Sequence, residues 1–169
     1  MTEFQEIYQR YAQELHRFVL YLSGNPALAE DITSETFVRL WASDEKVRML
    51  TVKAYLFAIA RHLYIDSRRM ASRHAEIDPE LPEPGASPEM LAHCRSELRE
   101  VAKLLHELPE VDRAALLLRA QQGMTYEEIA RTLDVSVAAV KVKIHRARLK
   151  LAEARAHWSR ADESIGDFQ

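Results

Sequence analysis

The residues best suited to chemistry in this chain are cations at helical spacing near its C-terminal end. Lys141, Lys143, His145, Arg146, Arg148 and Lys150 lie between Ser136 and Leu151, and no acidic residue interrupts them. A solvated helix face usually mixes both signs of charge. A row of one sign suits a phosphate backbone instead. Val137, Val140, Ile144, Ala147 and Leu151 recur along the same stretch so that they share the opposite side of a helix. Just upstream, Thr125 and Glu128 have capping-box spacing, and Ile129, Ala130 and Leu133 form a short apolar stripe. Ser136 is a natural cap for the second helix. Two short helices about a tight turn, the second basic on its outer face, describe a helix-turn-helix. In that motif the second helix enters the DNA major groove and the first braces it. The competing reading is a helical hairpin with a solvated lysine face.

A second group lies mid-chain. Arg61, Arg68, Arg69 and Arg73 stand against a single acid, Asp66, with Tyr55, Phe57 and Tyr64 upstream and among them. Cations interleaved with rings suit single-stranded nucleic acid, because bases stack on rings while cations follow phosphates. An ordinary helix with buried tyrosines and solvated arginines has the same composition. A third group, Asp31, Ser34, Glu35 and Trp41, falls to one side of a helical pattern. It reads either as plain surface or as a partner surface, since tryptophan is enriched at interface hot spots. No nucleophile–base pair, phosphate loop or Cys/His cluster accompanies these groups, so the sequence offers no enzyme chemistry, metal site or cofactor site.

The elements that must position these groups all read as helices. The chain has 169 residues, only four glycines, 29% charged residues and a formal net charge of −3. No strand-like alternation is visible, so the fold class is all-α. The single cysteine, Cys94, excludes an intrachain disulfide framework and fits a reducing cytosol. The apolar runs are too short to span a membrane, and the first ten residues lack the basic start and apolar core of a signal peptide, so a cytoplasmic location is expected.

Residues 2–23 carry Phe4, Ile7, Tyr8, Tyr11, Leu15, Phe18, Val19 and Leu22 as an apolar, core-facing stripe. Asn25-Pro26 restarts the chain as cap and first helical residue, and a second helix follows over 27–42 with Leu28, Ile32, Phe37 and Leu40 inward. After a polar loop over 43–51, a third helix over 52–71 turns Leu56, Ile59, Ala60 and Leu63 inward. Residues 76–89 differ in kind, with four of the six prolines, five acids and no base. Such a stretch cannot bury enough apolar surface to fold by itself and reads as a semi-extended linker between two small domains. Ser87-Pro88 then opens a helix with Leu91, Cys94, Leu98, Val101, Leu105 and Leu108 in one stripe, which makes Cys94 a buried structural thiol. Another helix over 110–122 turns Ala114, Leu117 and Leu118 inward, Gly123 ends it, and the tail beyond residue 156 is expected to fray.

Taken together, these stretches resemble the sigma-70 family of bacterial RNA polymerase sigma factors, in particular the small extracytoplasmic-function (ECF) group. The resemblance is carried by AEDITSETFVRLW (29–41), AYLFAIARHLYIDSRR (54–69) and the run from Leu108 to Leu151, and it spans nearly the whole chain. It implies a two-domain all-α protein, with sigma domain 2 over 1–75, an acidic linker over 76–89, sigma domain 4 over 90–156 and a tail over 157–169. It implies that Asp31, Ser34, Glu35 and Trp41 bind the clamp helices of the largest core polymerase subunit, with domain 4 near the flap of the second largest. It also implies that the 43–51 loop and third helix recognise and open the −10 element, with Lys53, Tyr55, Arg61, His62, Tyr64, Arg68 and Arg69 as candidate strand contacts. Capture of a flipped base would favour melting. The linker would thread the enzyme toward the RNA exit path.

Domain 4 would read the −35 element as duplex. Lys141, His145 and Arg146 would meet base edges or adjacent phosphates, and Lys143, Arg148 and Lys150 would meet phosphates, with Val142 on the same face. Thr125 and Tyr126 at the start of the first helix would hold another phosphate. The expected partners are core RNA polymerase, promoter DNA and an anti-sigma factor, of a kind often membrane-anchored, with no small-molecule substrate. The chain departs from the usual pattern at Asp134, where many relatives have Gly, and at Ala138-Ala139, where many have Gly-Thr. Tyr55 and His62 stand where Trp and Asn are frequent. The alternative function is a conventional helix-turn-helix regulator with an N-terminal helical sensor.

Overall fold

In the computed structural model, residues 2–43, 52–77 and 85–166 are described, and their regular elements are eight helices. These are α1 (Glu3–Ser23), α2 (Pro26–Ala42), α3 (Val52–Ile77), α4 (Pro88–His93), α5 (Ser96–Glu107), α6 (Glu110–Ala120), α7 (Tyr126–Leu133) and α8 (Val137–Gly166). Most of the 43–51 loop and residues 78–84 of the expected linker lie outside the described residues.

Local chemistry sets the helix ends. Thr2 and Gln5 form a reciprocal capping box at the start of α1. Asn25 accepts from the Leu28 amide while Pro26 occupies the first turn of α2. Between these helices Gly24 adopts φ 65°, a left-handed conformation that closes α1. A Cβ here would lie 2.8 Å from the Ala86 backbone and 2.6 Å from His106 Nε2, so the site requires glycine twice over. The close approach exists because Ser87 N–H donates to the Gly24 carbonyl at 2.8 Å, tying the entry of α4 to the end of α1.

One buried cluster runs through the chain rather than two separate ones. It joins Leu15, Phe18 and Leu22 of α1, Leu56 and Phe57 of α3, Leu105 and Leu108, and Leu117 and Leu118 of α6 to Ile129 of α7 and Ile144 of α8. Phe18 and Phe57 are fully buried with ring centroids 5.0 Å apart. Full burial of such a side chain contributes about 2–3 kcal/mol. The N-terminal lobe (α1–α3) and C-terminal lobe (α5–α8) are therefore packed on each other, with α6 against both α1 and α8 and α3 against α7. A smaller cluster of Met90, Cys94 and Ala102 packs against Leu20 and Tyr21 of α1.

Four expectations need correction. The stripe from Leu91 to Leu108 is not one helix: α4 ends at His93, Cys94 is extended (ψ 142°), and α5 begins at Ser96. The break rotates Leu98 and Val101 outward, leaving them 42% and 36% exposed, while Cys94 stays buried as expected. Tyr8 is 49% exposed rather than core, with its ring edge-on to Phe37 of α2 at 4.8 Å. Third, α3 continues to Ile77, six residues past its expected end at 71, because nothing in Ser72–Ile77 breaks a helix before Pro79. Last, α8 continues through the expected fraying tail to Gly166, since no proline or glycine intervenes before that residue.

Candidate nucleic-acid and partner interfaces

The C-terminal site is built from its turn outward. Thr125 Oγ1 accepts from the Glu128 amide at 3.2 Å and Glu128 Oε2 accepts from the Thr125 amide at 3.3 Å, so α7 starts with both exposed donors satisfied. Asp134 closes α7 in the left-handed region (φ 55°, ψ 51°), a conformation its short polar side chain tolerates. Val135 N–H then reaches the Ala130 carbonyl at 3.0 Å, and Ser136 Oγ accepts from the Ala139 amide at 3.1 Å to start α8. Ile129, Ala130 and Leu133 of α7 and Val140, Ile144 and Ala147 of α8 are buried. This seam rotates the basic row of α8 away from the core.

The row is not uniform. Lys141, Val142, His145, Arg146, Arg148 and Lys150 are exposed, and Lys143 is half-buried. Asp112, in the first turn of α6 and 3% exposed, lies 3.4 Å from Arg146 and 3.7 Å from Lys143. Lys150 Nζ donates to the Glu107 carbonyl at 3.0 Å. Arg146, expected at base edges, is thus partly turned toward an internal acid, though its side chain remains 57% exposed. Tyr126 lies under two cations, Arg119 at 4.7 Å and Lys141 at 5.9 Å from the ring centroid. Asp112 and Arg119 escaped sequence reading. Asp112 sits 31 positions before Lys143, and no local spacing connects them.

The candidate strand-binding residues of α3 divide by face. Tyr55 is half-buried, His62 and Arg69 are exposed, and Arg68 lies 5.9 Å over the Tyr64 ring. Arg61 and Tyr64 are buried (8% and 3% exposed) against α6. Arg61 donates through Nε and one Nη to both carboxylate oxygens of Glu110, each at 2.9 Å. Tyr64 Oη accepts from Arg113 at 3.1 Å. Lys53 pairs with Glu14 at 3.3 Å and donates to the Gln122 carbonyl at 3.2 Å. Burial lowers the Arg113 guanidinium from its ordinary value. Its Nε has no hydrogen-bond partner among the described residues. Burial also lowers the neighbouring His106 to about 4, with Arg113 and then Arg68 adding repulsion. A cavity of about 400 Å³ opens between α3 and the end of α7, bordered by Arg61, His62, Arg69 and the Asp134 turn.

On the far side, Asp31, Ser34 and Glu35 are exposed along α2, with Glu35 paired to Arg39 at 3.3 Å. Trp41 is 69% exposed and stacks edge-on against Phe4 at 4.9 Å. An apolar groove of about 500 Å³ runs between Phe4, Tyr8, Phe37, Val38 and Trp41, with Ser34 at its rim. Phe4, Tyr8 and Val38 were not anticipated there. Tyr8 was hidden by the α1 stripe, whose residues fit core and groove equally.

These features define a helix-turn-helix protein with an extended helical N-terminal lobe. Residues 7–74 match the family Sigma-70 region 2, and residues 98–151 match Sigma-70, region 4. The chain is 33% identical over 158 residues to the ECF RNA polymerase sigma factor SigE of Mycolicibacterium smegmatis, covering 90% of this chain and 62% of that protein. It is 33% identical over 152 residues to the ECF RNA polymerase sigma factor SigM of Bacillus subtilis, covering 86% and 91%. The fold is similar to that of CnrH solved with the cytosolic domain of CnrY (TM-score 0.69, 26% identity, 91% of this chain and 88% of that one). It is also similar to that of the sigma factor RpoE solved with the anti-sigma factor NepR from Bartonella quintana (TM-score 0.80, 24% identity, 90% and 96%). The chain belongs to the ECF sigma factors of the sigma-70 family.

Proposed function

We propose that this sigma factor docks on core RNA polymerase through the α1–α2 face and directs promoter-specific initiation. The recognition helix α8 reads −35 duplex, and α3 with the loop before it captures the melted −10 strand. The observation that carries this reading is the outward, acid-free row on α8 behind a fully capped α7 and turn. In the docked state Asp31, Ser34, Glu35 and Trp41 face the clamp helices of the largest subunit, the groove receives apolar side chains, and the C-terminal lobe lies near the flap. Lys141 and His145 meet base edges in the major groove, with Val142 on the same face and Arg148 and Lys150 on flanking phosphates, while Asp112 holds Lys143 and Arg146 back. Thr125 and Tyr126 approach a phosphate at the start of α7. Such a factor works in the cytoplasm, performs no bond chemistry of its own and is held in reserve by an anti-sigma factor. The two structures solved with anti-sigma partners or partner domains support that last point by analogy.

Run-off transcription with purified core polymerase on a promoter library tests this reading. Start sites that appear only when the protein is added are the expected result. Tight duplex binding by the chain alone, with no initiation, would instead favour a conventional regulator.

A further inference from the structure

The cavity between α3 and the end of α7 holds about 400 Å³, within the range of small-molecule sites, about 300–1,000 Å³. Its floor is apolar, with Ile65 half-buried and Leu133 buried. Its walls carry charge of both signs. Arg61, His62 and Arg69 line it from α3 with Asp66 among them, and Asp134 lines it from the turn after α7. The Arg61 guanidinium gives Nε and one Nη to Glu110 and leaves the other Nη outside that pair. Among the described residues, the side chains of His62, Asp66, Arg69 and Asp134 make no hydrogen bond or ion pair. Asp66 and Arg69 lie about one helical turn apart and still do not pair with each other. The two walls also differ: cations gather on α3, whereas Asp134 adds its charge to the negative end of the α7 dipole. A few polar groups converging on an apolar floor are what orient a ligand in such a space.

We propose that this cavity binds a small zwitterion of amino-acid type, a free amino acid or a dipeptide. Its carboxylate takes hydrogen bonds from Arg69, His62 and the unshared Arg61 Nη. Its ammonium donates to Asp134 and Asp66, and its side chain covers Ile65 and Leu133. A ligand of one sign satisfies only half of the lining: an anion meets two carboxylates, and a cation meets two guanidinium groups. A zwitterion satisfies both halves. It touches helices of both lobes, so by mass action it stabilises the state in which α3 packs on α7. Arg61, His62 and Arg69 are also candidates for the melted strand, so a bound zwitterion and a strand exclude each other there. That consequence rests on the function proposed above; the site itself rests on the cavity and its unpaired charges.

The test uses the full-length chain without polymerase. The common amino acids and their glycyl dipeptides are screened by thermal denaturation, with sodium acetate, ammonium chloride and inorganic phosphate as probes of one sign, and hits are titrated by calorimetry. We expect at least one zwitterion to bind saturably and to raise Tm by about 5–10 °C at roughly a hundredfold excess over its Kd. Acetate, ammonium and phosphate should not reproduce the shift. Arg69→Gln and Asp134→Asn each remove one charge, at opposite ends of the ligand. Both side chains are exposed and make no ion pair, and Asn tolerates the left-handed backbone at position 134, so both variants should fold, as circular dichroism checks. Each should weaken binding about tenfold or more, the loss of one charge-assisted hydrogen bond. No saturable binder in the panel would overturn the proposal. So would a binder whose affinity either variant leaves unchanged, or phosphate binding as tightly as the best zwitterion. Run-off transcription by the unaltered chain is scored separately: its absence would defeat the sigma reading while leaving the titrations to decide the site.

Discussion

Replacing Asp112 by Asn removes one charge that holds two cations of the recognition helix. The carboxylate is 3% exposed and sits 3.4 Å from Arg146 and 3.7 Å from Lys143. Removing one partner of a fully buried pair costs about 3–5 kcal/mol because the other charge is stranded. Neither cation is stranded here: their side chains are 57% and 22% exposed and can turn to water. An exposed pair is worth at most about 1 kcal/mol. Asp112 also lies in the first turn of α6, where a negative charge favours the helix by about 0.3–1 kcal/mol. The expected loss is about 1–2 kcal/mol, which for a chain of this size lowers Tm by roughly 2–8 °C. Stability alone would not separate this from any buried substitution, so the second readout is DNA binding. Freed Lys143 and Arg146 become available to phosphates, and each new phosphate contact steepens the dependence of log K on log salt by about 0.9. Titration of duplex DNA at several salt concentrations should therefore show a slope steeper by about one to two contacts and tighter binding at low salt. A shallower slope, or weaker binding at every salt concentration, would refute the reasoning. It would mean that Asp112 presents these cations to DNA rather than withholding them.

Trp41→Ala should weaken core polymerase binding by at least 2 kcal/mol, about thirtyfold, as for a hot-spot aromatic, yet leave Tm within a few degrees because the ring is 69% exposed. Competition against the unaltered chain for core enzyme measures this, and unchanged affinity would remove Trp41 from the interface. Asp134→Gly should raise stability by up to about 1 kcal/mol by relieving the left-handed backbone at φ 55°; a fall in the denaturation midpoint would show that the Asp side chain contributes more than it costs. His106 is held below its ordinary value, at about 4, by burial and by Arg113 and Arg68. The unfolded chain therefore binds more protons between pH 6.5 and 4, so stability contributed by neutral His106 is intact above 6.5 and lost as pH falls toward 4. Urea denaturation across that range should show this slope, and His106→Gln should flatten it. An unflattened slope would assign the acid sensitivity to other groups.

Much of the architecture was legible because it is written in local chemistry. The Thr125–Glu128 capping box, Asn25-Pro26, Ser87-Pro88 and Gly123 mark helix ends through groups a few residues apart, and the sequence carries such information directly. The seam of Ile129, Val140, Ile144 and Ala147 was legible for the same reason, since one helical period decides which residues share a face. Asp134 shows the limit from the other side: its departure from glycine was visible, and only the backbone shows that the left-handed turn survives it.

What the sequence could not express is which faces meet across long separations. Tyr8 and Leu15 belong to one α1 stripe, yet the second is fully buried and the first lines a groove between α1 and α2. Leu98 and Val101 continue the period of Leu91 and Cys94, but two extended residues, Cys94 and Arg95, turn them outward. By composition, the arginines and tyrosines of α3 could be strand contacts or core. Tertiary packing buries Arg61 and Tyr64, because Glu110 and Arg113 arrive 49 residues later to satisfy them. The sequence by itself determined the helices, their caps and the basic recognition row, since each depends on neighbours along the chain. Only the tertiary structure decided that α6 packs on the N-terminal lobe with Glu110 turned toward Arg61 and Asp112 toward Lys143 and Arg146. That arrangement depends on how apolar faces far apart in the chain find one common core.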